Sequence, residues 1–210
     1  MTRHSGDSKL RITYGVHQAQ LLEISELFDQ AFAGKFKYAI PDAQLRIEFW
    51  SEILNSDQIF TAYVDGELAG IALLTFEAHS GFLPTAQKTL FRNLGLKGGI
   101  RAAFYFALYS KLDSKILNPA IYLEALSVSE KFRGMGLGSA LIDEIVRFGI
   151  ANGYKSLTLK VTLENTSAQR LYEKLGFSAR KVSKTPILAI FTKVSGATTM
   201  ELELRNQVAQ

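Results

Sequence analysis

The residues of this sequence best suited to chemistry lie in one run, Leu123 to Ser139, whose sequence is LEALSVSEKFRGMGLGS. A strand pattern is followed by glycines at Gly134, Gly136 and Gly138 and then by a helical pattern. Glycines let a ligand approach the backbone, and the first N–H groups of a helix have no partner inside it. The run therefore predicts an anion site, to which Arg133 adds a cation that can bind phosphate oxygens.

Two familiar phosphate-binding turns do not fit this run. A P-loop requires a lysine directly after its last glycine, and none follows here. The dinucleotide fingerprint Gly-x-Gly-x-x-Gly lacks its third glycine, because Ser139 and Leu141 occupy the two positions where it could stand. A purely structural turn is the remaining alternative to a ligand site.

A second motif follows the next predicted strand, and its sequence from Asn165 to Phe177 is NTSAQRLYEKLGF. Together with the spacing Arg-x-x-Gly-x-Gly at Arg133, Gly136 and Gly138, it resembles the GNAT (GCN5-related) N-acetyltransferase superfamily. The resemblance is sharp from Ile121 to Phe177 and consistent in element order from Leu10 to Phe76. It does not cover an insert at about residues 82–119.

The resemblance implies acetyl-coenzyme A as the acyl donor and a fourth and fifth strand that separate to admit its pantetheine arm. Backbone N–H groups at Leu126, Ser127 and Val128 would bind the pantetheine amides and polarise the thioester carbonyl. Asn165 would contact the cofactor or simply cap the helix that follows it. The pyrophosphate would be held by the backbone of Arg133, Gly134, Met135, Gly136, Leu137, Gly138 and Ser139.

Two side chains are candidates for proton transfer. Strand alternation is expected to place Glu124 on one face with Leu126 and Val128, and a carboxylate among apolar neighbours is costly without a role. Glu124 is therefore a candidate base or substrate anchor, with a structural salt bridge as the alternative. The resemblance makes Tyr172 the candidate acid for the departing thiolate, against a role as a core aromatic. Lys160 stands on strand five, where many relatives carry a base.

The activity that the resemblance implies is transfer of an acetyl group to a primary amine by direct attack in a ternary complex. An acyl-coenzyme A sensor without activity, and a transferase that uses a longer acyl group, are the alternatives. The acceptor is open between a small-molecule amine and an amine of a protein.

The elements needed to position these residues follow from periodicity. A strand at Leu10–Val16 is followed by an amphipathic helix from Leu21, and a second helix begins after Pro41 with Asp42 as its N-cap. Asp65-Gly66 predicts a hairpin between strands at Ile59–Val64 and Leu68–Phe76. Further strands are predicted at Ile121–Val128 and Leu157–Thr162, and helices at Ser139–Ile150 and Ser167–Leu175.

The remaining segments are the insert and the tail. In the insert we expect helices at Thr85–Leu94 and Ile100–Leu112, separated by a glycine-containing break at Leu96–Gly99. The tail has three strand candidates, around Phe177–Val182, Leu188–Lys193 and Thr198–Leu204. The expected architecture is a single α/β domain over residues 1–210, with a mixed but mostly antiparallel sheet, a splayed parallel strand pair and a helical insert before strand four.

Composition excludes several classes of protein. The 210 residues include no cysteine and three scattered histidines, so we expect neither a disulfide scaffold nor a metal site. No run is apolar enough to span a membrane, and the polar N-terminus lacks the apolar core of a signal peptide, so a cytoplasmic protein is expected.

The positive charge is concentrated in the insert. The net charge is 24 − 20 = +4, and the stretch Lys88–Lys115 carries six basic residues and one acidic residue, or +5. A solvated helix pair is one interpretation. The other is contact with an acidic partner or a membrane surface, since Phe104, Tyr105, Phe106 and Tyr109 lie beside Arg101 and Lys111. No nucleic acid is expected as partner, and the chain is expected to be a monomer or homodimer.

Overall fold

One seven-stranded sheet organises the molecule. The structure is a computed structural model that describes residues 9–76, 83–110, 120–184 and 194–204. Within these residues the strand order is β1-β2-β3-β4-β5-β7-β6, and every neighbouring pair is antiparallel except β4 and β5. The strands are β1 Leu10–Tyr14, β2 Ile59–Val64, β3 Glu67–Thr75, β4 Ala120–Val128, β5 Ser156–Thr162, β6 Ser178–Lys184 and β7 Gly196–Glu203. The predicted mixed sheet with one parallel pair is confirmed.

The helices connect and cover these strands. They are α1 Leu21–Phe36, α2 Ala43–Ile53, α3 Leu83–Ser110, α4 Leu137–Ala151 and α5 Thr166–Lys174. Asp42 caps α2 as predicted, because its side chain accepts a hydrogen bond from the Leu45 N–H at 2.8 Å. The β2–β3 hairpin turns at Asp65 and Gly66, both with positive φ, which is the geometry of the predicted type I′ turn.

Two hydrophobic clusters lie on opposite faces of the sheet. On one face, α1, α2 and α3 bury Ile24, Phe49 and Trp50 against Ile71 of β3. On the other, α4 and α5 bury residues such as Leu141 and Ile145 against the centre of the sheet. The parallel pair β4 and β5 is thus covered by helices on its α4 side, as parallel strands require.

The insert forms one helical element with a sharp break instead of two helices with a longer linker. The break lies at Gly95, whose φ of 63° and ψ of −175° are not helical. Gly98 and Gly99, which we predicted to form the break, continue the helix. A Cβ on Gly99 would lie 2.4 Å from the Phe91 ring, so this glycine permits close packing between the two halves of α3.

The tail is described in part. β6 and β7 match the first and third strand candidates within two residues, and they pair with each other. The second candidate, Leu188–Lys193, lies outside the described residues, as do Lys111 and the end of the predicted second insert helix. Within the described residues, none of the helices combines the length and apolar character needed to cross a bilayer.

Candidate active site

β4 and β5 pair only over their first halves. The parallel ladder runs from Ala120–Ser156 to Leu123–Leu159 and ends there, although β4 continues to Val128 and β5 to Thr162. The two strands therefore separate toward their carboxyl ends. In an α/β sheet this edge is where ligands are most often bound.

A cleft of about 970 Å³ occupies the separation and continues to the glycine turn. Its volume is near the upper end of that of small-molecule sites, which suits an elongated ligand. The cleft brings together all the predicted site residues except Met135. Its walls are formed by Ala31, Phe32 and Lys35 of α1, the β4 residues Leu123, Glu124, Ala125, Leu126, Ser127 and Val128, the turn and α4 residues Phe132, Arg133, Gly134, Gly136, Leu137, Gly138 and Ser139, the β5 residues Leu159, Lys160, Val161 and Thr162, and Asn165, Ser167, Ala168, Leu171 and Tyr172 of the α5 region.

Glu124 is the extra residue of a β-bulge. The register between β3 and β4 shifts so that Leu73 pairs with Ala125 and Leu74 with Leu123. Leu123 and Leu126 consequently pack on the α4 side of the sheet, while Ala125 joins the cluster under α1. The Glu124 carboxylate is exposed, and its Oε1 accepts a hydrogen bond from Thr75 Oγ1 at 3.1 Å.

The expectation that Glu124, Leu126 and Val128 share one face is therefore wrong, because the bulge interrupts the alternation at Glu124. The carboxylate bonds Thr75, which follows Leu74 of the α4-side cluster and therefore lies on the side of the sheet that α1 covers. Glu124 also lines the cleft. Bulges recur next to active sites, where they redirect one side chain without ending the strand.

The glycine turn supplies a row of hydrogen-bond donors. Gly134 and Gly136 have φ of 80° and 77°, which favours glycine, and α4 begins directly afterwards. Among the described residues, none accepts a hydrogen bond from the six backbone N–H groups of residues 134–139. These donors and the positive end of the α4 dipole have the geometry that an anion site requires, and binding of an anion there stays a prediction.

Arg133 differs in detail from the prediction. Its backbone N–H donates to the Glu130 carbonyl at 3.3 Å and is thus removed from the donor row. Its guanidinium forms an exposed pair with Glu130 at 3.0 Å. Met135 is 51% exposed and does not line the cleft with its side chain, so its contribution is limited to its backbone.

Fewer backbone N–H groups of β4 face the cleft than predicted. The N–H of Ser129 donates to the Ala69 carbonyl, and N–H groups along an antiparallel strand alternate between its two neighbours. Ser127 therefore directs its backbone toward β3. The backbone N–H groups of Leu126 and Val128 point toward the space between β4 and β5. Two N–H groups, instead of the predicted three, therefore face the cleft.

The helix that carries Tyr172 is anchored at its start. Asn165 Oδ1 accepts hydrogen bonds from the Ala168 N–H at 3.2 Å and from the Ser167 hydroxyl at 3.1 Å. Gln169 Nε2 donates to the Thr162 carbonyl at 2.9 Å, which ties α5 to the end of β5. The capping role considered for Asn165 is thus present, and only its Nδ2 remains for a ligand.

Tyr172 is a core aromatic residue that also reaches the cleft, and its role as an acid stays a prediction. Its ring is 8% exposed and packs 5.6 Å from that of Phe177, while the residue also lines the cleft. Burial raises the pKa of Tyr172 to about 12. The phenol therefore keeps its proton at every pH at which an enzyme of this type would work.

The α1 wall of the cleft was missed by sequence reasoning. Ala31 and Phe32 lie one helical turn before Lys35, and the amphipathic pattern from Leu21 predicted a helix there but not a wall of the cleft. The Lys35 ammonium lies 5.0 Å from the centre of the Phe32 ring, and burial lowers its pKa. Lys160 also lines the cleft, from the opposite wall.

Comparison with known proteins agrees with this geometry. A model described as the acetyltransferase (GNAT) family matches residues 21–177. The N-acetylaspartate synthetase of Danio rerio is 37% identical over 65 residues, which are 31% of this chain and 22% of that protein. This chain therefore spans about a fifth of the length of the N-acetylaspartate synthetases it matches.

Two solved structures share the fold over most of the chain. One is described as the crystal structure of an acetyltransferase, with a TM-score of 0.67, 22% identity, and coverage of 92% of this chain and 99% of that one. The other is a putative acetyltransferase from Salmonella typhimurium determined with acetyl-coenzyme A. Its TM-score is 0.57 and its identity 16%, over 95% of this chain and 96% of that one.

Proposed function

This chain belongs to the GNAT family of acetyltransferases, and we propose on that basis that it moves an acetyl group from acetyl-coenzyme A to a primary amine. Both substrates are bound at once, and the amine attacks the thioester directly. The reaction forms an N–C bond and breaks the C–S bond. A proton must therefore leave the amine, and the departing thiolate takes one up.

The observation that carries this proposal is the continuity of the cleft. The six N–H donors of residues 134–139 lie at one end, and the separated strands β4 and β5 form the other. Acetyl-coenzyme A has the matching chemistry, because its pyrophosphate is followed by a narrow arm with two amides and a terminal thioester. A small anion alone would leave the cleft between the strands unused.

Within the cleft, β4 supplies the electrophilic assistance. The Leu126 and Val128 N–H groups face the separation and can bond the pantetheine amides and the thioester oxygen. A donor fixed in a strand needs no reorganisation when negative charge develops on that oxygen. Removing one donor of this type typically lowers turnover by about 10²- to 10³-fold.

Glu124 is the proposed base or ammonium anchor. An alkyl ammonium with a pKa near 10 has no lone pair at neutral pH, so loss of its proton must precede attack. Glu124 opens into the cleft beside the separated strands, and its exposure allows a water molecule to relay the proton to solvent. The hydrogen bond from Thr75 holds one carboxylate oxygen of Glu124 at the edge of the cleft.

Tyr172 is the proposed donor to the leaving thiolate. With its pKa at about 12, full proton transfer to a thiolate of ordinary pKa, about 8.5, would be uphill by roughly 3.5 pKa units or about 5 kcal/mol. The same buried environment raises the pKa of the thiolate and narrows this gap. Tyr172 therefore acts first as a hydrogen-bond donor, and its proton follows as the C–S bond breaks.

The acceptor is proposed to approach along α1. Phe32 and Lys35 line the cleft on the same side of the sheet as Glu124, which leaves the opposite end to the pyrophosphate. The fold does not determine the acceptor, so both a small-molecule amine and a protein amine remain candidates. The cytoplasmic location inferred from the polar N-terminus stays a prediction.

The test is to titrate the purified protein with acetyl-, succinyl- and longer acyl-coenzyme A, and then to screen metabolites and lysate proteins with labelled acetyl-coenzyme A. We expect acetyl-coenzyme A to bind and label to appear in an amide. Binding with no labelled product in a broad panel would favour the sensor alternative. Tighter binding of a longer thioester would indicate that the longer acyl-coenzyme A is the donor. The absence of binding by any of the thioesters would refute the proposal.

The role of Glu124 is tested in the same assay. Glu124→Gln should lower turnover by about 10²-fold and leave acetyl-coenzyme A affinity unchanged, as expected for loss of a base. Glu173→Gln is the matched control, because Glu173 is exposed on α5 and lies outside the cleft. Equal turnover in both variants would show that Glu124 is not needed for the reaction and has only a structural role.

A further inference from the structure

The outward face of α3 is apolar where a surface helix is normally polar. Leu96, Ile100 and Phe104 are 72%, 57% and 64% exposed, and their spacing of four residues places them in one row. The inward face is also apolar, since Tyr105 and Phe106 are buried. Large apolar side chains that stand together on an exposed helix face are unusual in a surface helix, so the outward row marks a contact surface.

Basic side chains run beside this row. Lys97 and Arg101 are exposed and follow Leu96 and Ile100 directly in sequence, so they form a second row with the same spacing. Residues 83–110 include no acidic residue and two further exposed cations, on the first half of the helix. Of the aromatic residues considered for a surface contact, Phe104 is exposed, whereas Tyr105 and Phe106 are buried.

We propose that the α3 face, formed by Leu96, Lys97, Ile100, Arg101 and Phe104, docks on the surface of an anionic lipid bilayer. Three apolar side chains would enter the boundary between headgroups and acyl chains, while the two cations remain among the lipid phosphates. Parallel apolar and basic rows of this kind are the arrangement of interfacial helices. Each cation near an anionic leaflet strengthens the attachment.

Charge and shape favour a lipid bilayer over a second copy of the chain and over an acidic protein as the partner of the α3 face. A second copy of the same face would bring like charges together, which is unfavourable. The α3 face is a ridge of projecting side chains, and a ridge enters a fluid acyl layer without needing a complementary groove. An acidic protein would satisfy the charges but would also have to supply that groove.

Contacts from α3 to the α1 region attach the proposed docking helix to the wall of the cleft. The hydroxyl of Tyr105, on the second half of α3, donates to the backbone carbonyl of Lys35, which lines the cleft on α1. Arg101 also reaches the Ala39 carbonyl just beyond α1, at 3.4 Å. The proposal itself does not depend on acetyl transfer, and its test measures attachment alone.

The test is sedimentation of the full chain with vesicles of phosphatidylcholine alone and of phosphatidylcholine mixed with phosphatidylglycerol. We expect about tenfold or more preference for the mixed vesicles, and a decrease in binding with added salt. Combining Ile100→Ser with Phe104→Ser should reduce binding about tenfold or more.

The matched control combines Lys181→Gln with Val182→Ser on β6, where an exposed cation also neighbours an apolar side chain that is 57% exposed. This control should sediment like the natural chain. The absence of binding to mixed vesicles, or an equal loss in both variants, would overturn the proposal. So would self-association that the α3 variant abolishes, or binding of polyglutamate without binding of vesicles.

A site-specific measurement removes any dependence on how the serine variants fold. Because the chain has no cysteine, Ile100→Cys can be labelled with a polarity-sensitive fluorophore at that position alone. Mixed vesicles should shift its emission to shorter wavelength, whereas the same label introduced by Val182→Cys should not respond. An unchanged spectrum at position 100 would contradict insertion of the α3 face.

Discussion

Burial changes the chemistry that Tyr172 can perform. The phenol lies between the α4-side core and the cleft, and its raised pKa of about 12 keeps it protonated. A group in this state can donate a hydrogen bond at any physiological pH, but it is a weak acid toward an ordinary thiolate. Its contribution therefore depends on how closely the leaving sulfur is held to it.

We expect Tyr172→Phe to lower turnover by about 10²-fold while acetyl-coenzyme A binds with nearly unchanged affinity. The variant loses only the donor and keeps the ring that packs on Phe177. Turnover and calorimetric affinity, measured from pH 6 to pH 10, are the readouts. Tyr154→Phe, which changes a half-buried tyrosine outside the cleft, is the control. Unchanged turnover at every pH would remove Tyr172 from the reaction.

The same substitution has a signature in stability. The unfolded phenol loses its proton near pH 10 and the folded one near pH 12, so the unfolded state binds fewer protons in that window and stability falls as pH rises. The loss attributable to Tyr172 is at most about 2.7 kcal/mol. Tyr172→Phe should lack this part of the decline in urea unfolding above pH 10, and parallel curves would contradict the raised pKa.

At the scale of elements, the glycine turn and the first turn of α4 act as one binding unit. A Cβ on Gly138 would meet only ordinary contacts, 3.6 Å to Leu171 and 3.8 Å to Leu126, and both of those residues line the cleft. Packing within the protein therefore does not demand glycine at this position. Close approach of the proposed pyrophosphate to the helix backbone would demand it.

Gly138→Ala should thus separate binding from folding. We expect it to weaken acetyl-coenzyme A binding by tenfold or more, with a free energy of unfolding unchanged or raised by at most about 1 kcal/mol. Gly34→Ala in α1 is the matched control, because open space surrounds that position and the same gain in helix propensity applies. Calorimetry and urea unfolding give the two quantities, and equal affinities would mean that the ligand does not approach Gly138.

At the scale of the whole molecule, a buried ion pair joins α1 to α2 on the side of the sheet that carries α3. Arg46 donates to both carboxylate oxygens of Asp29 at 2.7 and 2.9 Å and to the carbonyls of Ile40 and Pro41. The two side chains are 6% and 8% exposed. Loss of either partner would leave a buried charge without compensation.

Asp29→Asn should therefore lower the free energy of unfolding by about 3 to 5 kcal/mol, measured by urea denaturation at neutral pH. Glu144→Gln is the control, since its pair with Arg147 at 2.5 Å is exposed and should contribute less than about 1 kcal/mol. A similar small effect of both substitutions would show that α1 and α2 are held by their apolar contacts alone.

Several features were determined by the sequence because they depend on neighbouring residues. The Asp42 cap and the turn at Asp65-Gly66 follow from local backbone preferences, and both predictions are confirmed. The N–H donors of residues 134–139 follow from the same preferences, without the Arg133 N–H that was predicted to join them. The order of strands and helices likewise follows from periodicity. Two motifs at the correct separation were sufficient to indicate the family that matches residues 21–177.

Other features were decided by the tertiary structure, because they depend on contacts between segments far apart in the chain. The bulge that redirects Glu124 arises from the register between β3 and β4, and the cleft exists because the β4–β5 ladder ends at Leu123 and Leu159. The raised pKa of Tyr172 results from burial that no motif encodes. The outward row on α3 became visible only once packing had shown which of the insert's aromatic residues face the core.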